Sequence, residues 1–351
     1  MKLETGSFGY TQGNEEVLEF ILSDGNGSAV HILNFGAAIR KLLVPDKNKE
    51  SKNVVLGFDT VKDYEHNPQY LGVAVGRYAG RISNAEFIID DIKYRLNRNN
   101  GNSCLHGGIK GLSRIVWNTV SQTVGENEAS IAFSYRSVNG EEHFPGNVLF
   151  GLKYTFNDKK ELLVEYTAST DKATPINLTN HSYFNLNGDL TTAASNHELM
   201  IDADTFVEGD ESTLGIKESA VDGTLFDFRK GRIISEGINS DSPQIKIYSG
   251  YDHAFRLNTK SIDAVAARLR SAISGIEMTV RTSSEAIVFY SSNFMDDSFT
   301  LVEGKKSKKY LGICLETQYF PNDLNVDFIE TKTILRPGET YKQKTIYAFN
   351  S

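Results

Sequence analysis

The sequence predicts an all-β protein: a large antiparallel β-sandwich with few short helices, formed by residues 1–351 as a single domain. Three observations predict it. Helical periodicity is scarce, and the apolar residues alternate in short runs instead. Asn26, Asn100, Asn139 and Asn187 are each followed by glycine, a pair that tolerates positive φ and punctuates such runs with turns. No Pro/Ser-rich linker, low-complexity tract or short-period repeat divides the 351 residues, a length able to bury a substantial core.

Taken in order, "EEVLEFILSDGNGSAVHILNFG" (15–36) reads as strand, Gly-rich turn, strand. "DTVKDYEHN" (59–67) is the best helix candidate, with Asp59 or Thr60 able to cap it. "AEFIIDDIKYRL" (85–96) reads as a hairpin around Asp90-Asp91. "SIAFSYRSVNGEE" (130–142) and "LLVEYTASTDKATPINLTN" (162–180) are further alternating strands, and Asn187-Gly188 signals a hairpin turn. "SIDAVAARLRSAISGIEMTV" (261–280) can start helically, but the Ser274-Gly275 turn makes a hairpin at least as good a reading.

Composition narrows the function. The formal net charge of −8 and the lack of a Lys/Arg cluster exclude a nucleic-acid partner. No stretch approaches the ~20 apolar residues of a membrane span, and the N-terminus has no apolar segment of a secretory signal. Two cysteines, Cys104 and Cys314, are too few for a disulfide framework, so a cytoplasmic setting is expected. The histidines are His31, His66, His106, His143, His181, His197 and His253, with no i,i+3 or i,i+4 pair, so no metal site is expected. Phosphate-loop, dinucleotide-binding and nucleophile-elbow motifs are absent.

Five places concentrate polar chemistry. "VGRYAGRISNAEF" sets Arg77 and Arg81 beside Gly76 and Gly80, which suits either backbone close to a ligand or a tight turn with solvated arginines. "NSCLHGGIKGL" holds His106 before a glycine pair, and "NLTNHSYFNLNG" sets His181 among amides and hydroxyls. "SGYDHAFRL" frames Asp252 and His253 with aromatics. In "GICLETQYFPNDLN", Glu316 follows Ile313, Cys314 and Leu315, so partial burial would raise its pKa from about 4.3, as suits a general base.

With "GRYAGRI", "LHGG", "GEEHFPGNV", "TPINLTNHSYFNLNG", "GTLFDFRKGRI", "YDHAF" and "LETQYFPNDLN" in this order, most of the chain resembles the aldose 1-epimerase (galactose mutarotase) family. The resemblance implies a large antiparallel β-sandwich that interconverts the α and β anomers of free aldoses such as D-galactose and D-glucose. It implies Glu316 as general base at the anomeric hydroxyl and His181 as general acid at the ring oxygen, with Arg81, His106 and Asp252 holding sugar hydroxyls. No hydride or phosphoryl group moves, so no cofactor is expected; the partner is a small-molecule aldose, and the chain is a monomer or homodimer. The roles require Glu316 ionised and His181 protonated, hence a bell-shaped pH profile. They also require a raised His181 pKa, from a nearby carboxylate, if activity persists above neutrality.

Gly80 stands where many members have Asn, and Val288 where others have Gln; both changes bear on sugar preference. His143 in "HFPG" has no assigned role. Three alternatives stand beside this reading. One is a non-catalytic carbohydrate-binding or regulatory protein on the same fold. Another is a hexose-6-phosphate epimerase, which would need a basic pocket. The third is a glycoside hydrolase using Asp252 and Glu316 as its two carboxylates.

Overall fold

The alternating runs pair into three main sheets in the computed structural model, which describes residues 1–351. The first is a five-stranded meander in chain order: Lys2–Tyr10, Glu16–Ser23, Ala29–Leu33, Ile39–Pro45 and Ser51–Asn53. The largest has nine strands. Asn118–Val124, Glu128–Ser137, Val148–Asn157 and Glu161–Thr170 lead to the C-terminal strand Tyr341–Asn350, followed by Glu277–Thr282, Ala267–Arg270, Glu198–Ile201 and Arg232–Ile233. The third runs Gly215–Ala220, Ala203–Gly209, Asp252–Leu257, Ala286–Tyr290 and Cys314–Gln318. Neighbouring strands are antiparallel throughout these ladders.

One cluster of 55 buried apolar residues joins all three sheets, so they share a single core. Phe20 and Ile32 enter it from the meander, Phe150 and Val164 from the nine-stranded sheet, and Phe255, Phe289 and Leu315 from the third. Each such side chain contributes roughly 1.5–3 kcal/mol on burial. This is the sandwich that the alternation predicts: inward faces interdigitate while outward faces remain free for other uses.

The local readings fare unevenly. Val61–His66 is a helix, capped by Thr60, whose Oγ1 accepts from the Asp63 N–H at 3.2 Å. Asp59 instead takes Arg40 at 3.0 Å and the Glu303 N–H at 2.8 Å. Glu86–Ile89 and Ile92–Arg95 form the expected hairpin, with Asp90 and Asp91 both at positive φ. The ambiguous segment 261–280 is a hairpin, Ala267–Arg270 against Glu277–Thr282, because Ala267 and Leu269 alternate into the core.

Asn187-Gly188, by contrast, does not close a hairpin. The Gly188 N–H donates to Asn185 O at 3.2 Å, and the chain stays irregular until Glu198–Ile201 apart from a short 3-10 turn, Ala194–Asn196. Buried Asn187 accepts from Ser271 Oγ at 2.7 Å, so tertiary packing overrides the local turn preference. The short helices Ile234–Ile238 and Pro243–Tyr248 are not anticipated by periodicity, although Pro243 at a first-turn position is a start signal.

Candidate active site

Strand alternation assigns each residue of Cys314–Gln318 to a face. Leu315 enters the core and Thr317 Oγ1 lies 2.6 Å from Thr345 Oγ1, so both point into the sandwich. Cys314, Glu316 and Gln318 therefore take the opposite face, where Glu316 and Gln318 line a cleft of about 420 Å³. The register sets Glu316 beside Val288, Val288 beside Ala254, and Asp252 beside Tyr290, so adjacent strands supply the floor.

His181 comes to this floor from a separate segment. Its backbone N–H donates to Val73 O at 2.9 Å, and its carbonyl accepts from the Gly72 N–H at 3.0 Å. Two ties bracket it against the Glu316 strand. Phe184 and Ile313 exchange N–H···O bonds of 2.8 Å, and the Asn177 amide donates to Tyr319 O at 3.1 Å while accepting the Tyr319 N–H at 2.9 Å. The polar residues around His181 thus hold backbone and not its ring. Asn180 Nδ2 donates to Gly72 O, and Asn180 Oδ1 accepts from Ser182.

The result is a buried acid–base pair. His181 Nε2 lies 3.5 Å from Glu316 Oε1, with residue exposures of 5% and 3%. Glu316 Oε2 has no hydrogen-bonding partner in the protein. His181 Nδ1 faces Cys314 Sγ at 3.5 Å. A proton on Nε2 satisfies both contacts, since the thiol S–H then donates to Nδ1. The ring is stacked on Tyr183 at 5.1 Å and Tyr70 at 6.1 Å.

Burial governs the electrostatics. It pushes Glu316 well above the usual carboxylate range; the neighbouring Asp252 charge adds to the rise and Arg81 opposes it. Burial also depresses His181 to about 4, against only a backbone hydrogen bond. A carboxylate does lie beside His181, Glu316 at 3.5 Å, but burial is the larger influence on the imidazole.

Arg81, His106 and Asp252 all line the same cleft. The Arg81 guanidinium is 3.9 Å from Asp252 and donates through Nε to Asn100 Oδ1 at 3.1 Å. Burial raises the Asp252 carboxyl while Arg81 lowers it. His106 Nδ1 accepts the Gly80 N–H at 3.1 Å, so its proton sits on Nε2, and burial, then the His181 and Arg81 charges, hold it neutral. Gly80 has φ +77°, and a Cβ there would lie 2.6 Å from the Pro321 Cβ, so the site has no room for a larger side chain.

Other candidates fall outside the reacting groups. Arg77 is buried away from the cleft, donating to Ser137 Oγ at 2.9 Å and Pro145 O at 2.9 Å, so it neither meets a ligand nor is solvated. His143 pairs with Asn97 at 3.1 Å and does not line the cleft. His253 supports Asp252 from below: its Nδ1 accepts the Asp252 N–H at 3.0 Å, and burial among aromatic rings depresses it to about 3. Sequence reasoning missed Cys314 and Gln318, which alternation through Glu316 would have placed beside it. It also missed Tyr70, which carries no local signal.

A family model described as aldose 1-epimerase matches residues 19–348. The chain is 37% identical over 322 residues to galactose mutarotase of Sus scrofa, covering 92% of this chain and 91% of that protein. It is 33% identical over 336 residues to aldose 1-epimerase of Escherichia coli K12, covering 93% and 94%. Among solved structures, galactose 1-epimerase from Lactobacillus acidophilus superposes with a TM-score of 0.88 at 30% identity, covering 99% of this chain and 98% of that one. The chain belongs to the aldose 1-epimerase family.

Proposed function

We propose that the protein is an aldose 1-epimerase, a cofactor-independent isomerase that interconverts the α and β anomers of free aldohexoses such as D-galactose and D-glucose. The observation that carries this reading is the buried contact of 3.5 Å between His181 Nε2 and Glu316 Oε1, with Glu316 Oε2 left without a protein partner. Glu316 takes the proton from the O1 hydroxyl while His181 delivers one to the ring oxygen, and the C1–O5 bond opens. Rotation about C1–C2 presents the other face of the aldehyde, and the two groups reverse roles on closure. Positioned acid and base groups each supply roughly 10²–10⁴-fold. Arg81, His106 and Asp252 hold the hydroxyls.

The pair needs one proton, and its two arrangements differ only in where that proton sits. The charged arrangement, Glu316 ionised and His181 protonated, matches the closed sugar; the neutral one matches the open-chain aldehyde. Burial favours the neutral arrangement, raising Glu316 and depressing His181, and so assists proton transfer toward ring opening. A hexose-6-phosphate is a poorer fit, since Arg81 is the only Lys or Arg lining the cleft and it already faces Asp252. The two buried, unpaired cysteines suit the cytoplasmic setting that we infer.

Polarimetry on freshly dissolved α-D-galactose and α-D-glucose in weak buffer tests the reading. Wild type should speed the decay of rotation to equilibrium, and Glu316→Gln and His181→Asn, both folded, should not. Sugar binding without acceleration for any free aldose would make the protein a carbohydrate-binding module instead.

A further inference from the structure

Two buried side-chain polar atoms in the cleft lining have no hydrogen-bonding partner in the protein: Glu316 Oε2 and Gln318 Oε1. The first belongs to the proposed base. The second has no place in that chemistry, yet Gln318 is only 1% exposed. Whichever way its amide is turned, one polar end lacks a protein partner, because no hydrogen bond from the Gln318 side chain to any other residue is present. Its immediate neighbours are largely apolar. Its register partner is Ala286, and Ala254, Val288, Phe320 and Ile329 form an apolar cluster with that alanine.

We propose that Gln318 contacts the sugar directly and selects substrates by one ring hydroxyl remote from C1. The inference rests on the reading that Glu316 works at C1. Alternate residues of a strand lie roughly 7 Å apart on one face, so with O1 against Glu316 a hydroxyl on the side of the ring away from Asp252 comes within reach of Gln318. The Asp252–Tyr290 row lies on the other side of Glu316, beside Cys314, so Gln318 meets a hydroxyl that Asp252 does not. Val288 offers no polar group at the adjoining position, which leaves the amide of Gln318 to make the contact. A hydroxyl that donates to this acceptor relieves a buried unsatisfied group, and a sugar lacking it leaves the group unpaired.

The test compares wild type with Gln318→Met, an isosteric apolar substitution, on galactose and its single-deoxy analogues by polarimetry. Galactose should lose roughly 10- to 100-fold in kcat/KM in the variant. One deoxy analogue should lose a similar factor in wild type and be turned over alike by both proteins. The variant should melt no lower than wild type, since an unpaired polar group has been removed. An equal loss for every sugar, or no loss at all, would overturn the proposal. If wild type accelerates no aldose, the catalytic reading fails by itself; calorimetric binding of the same sugars to both proteins then decides the role of Gln318, and binding unchanged by the substitution would sink it.

Discussion

Glu316 and Asp323 are both buried carboxyl groups, 3% and 0% exposed, on one continuous stretch of chain, but they are held in opposite ways. Asp323 accepts from Tyr78 Oη at 2.5 Å, the Lys332 N–H at 3.0 Å, the Thr333 N–H at 3.1 Å and Thr333 Oγ1 at 2.8 Å. It ties the segment that carries Phe320, Phe328 and Ile329, three residues of the cleft wall, to the body of the protein. Glu316 has one long contact with His181 and one oxygen with no partner. A structural carboxyl is saturated with donors; a working one is left needing them. The second arrangement costs stability and keeps a proton acceptor available.

Substitution separates the two most sharply. Glu316→Gln should lower the mutarotation rate by roughly 10²–10⁴-fold while leaving the fold intact. Asp323→Ala should instead lower stability by about 3 kcal/mol or more, because several buried donors lose their acceptor. Rates per folded molecule for Asp323→Ala should fall far less than those of Glu316→Gln. Denaturant melts and polarimetry on the same two preparations check this, and a reversed pattern would undo the contrast.

Titration sharpens it next. The kcat/KM profile reports the free protein. Its acid limb should fall near pH 4, where His181 takes up a second proton for the pair, and its alkaline limb should lie above the ordinary carboxylate range, where Glu316 gives up the only one. Stability follows the same shifts with opposite signs. Glu316, raised by burial, contributes stability below its unfolded pKa that is lost as pH rises through the folded value. His181, depressed, contributes stability above its unfolded pKa of about 6.5 that is lost as pH falls toward 4. Stability curves of Glu316→Gln should therefore lack the decline that wild type shows on raising the pH from about 4.5.

The smallest effect belongs to the thiol behind the histidine. Cys314→Ala removes the Sγ contact on His181 Nδ1 and, because a thiol is a weak donor, should lower kcat by less than about tenfold with KM unchanged. A change in KM alone would place Cys314 in sugar binding instead.

Much of this was legible locally. The short alternating runs, the Asp90-Asp91 hairpin and the Thr60-capped helix are set by neighbours within a few residues, and the sequence carries them plainly. Glu316 was conspicuous because a carboxylate inside an apolar strand breaks a period-2 pattern. Resemblance to a family supplied the set of Arg81, His106, His181, Asp252 and Glu316, and the fold brings all five to one cleft. Arg77 was misjudged because the chain between it and Arg81 is irregular, so the two do not share a face as residues four apart along a strand would. Asn187-Gly188 was misjudged because its turn is packed against Ser271.

The sequence alone determined the β class, local turns such as Asp90-Asp91 and the residue types able to move protons. Only the tertiary structure decided which of them meet, through the paired ties at Phe184–Ile313 and Asn177–Tyr319 that set His181 against Glu316. It also decided that burial depresses His181 and that Gln318 is left without a partner. The reason is physical: propensity and alternation act between near neighbours, whereas desolvation and hydrogen-bond satisfaction depend on what distant segments bring to the same place.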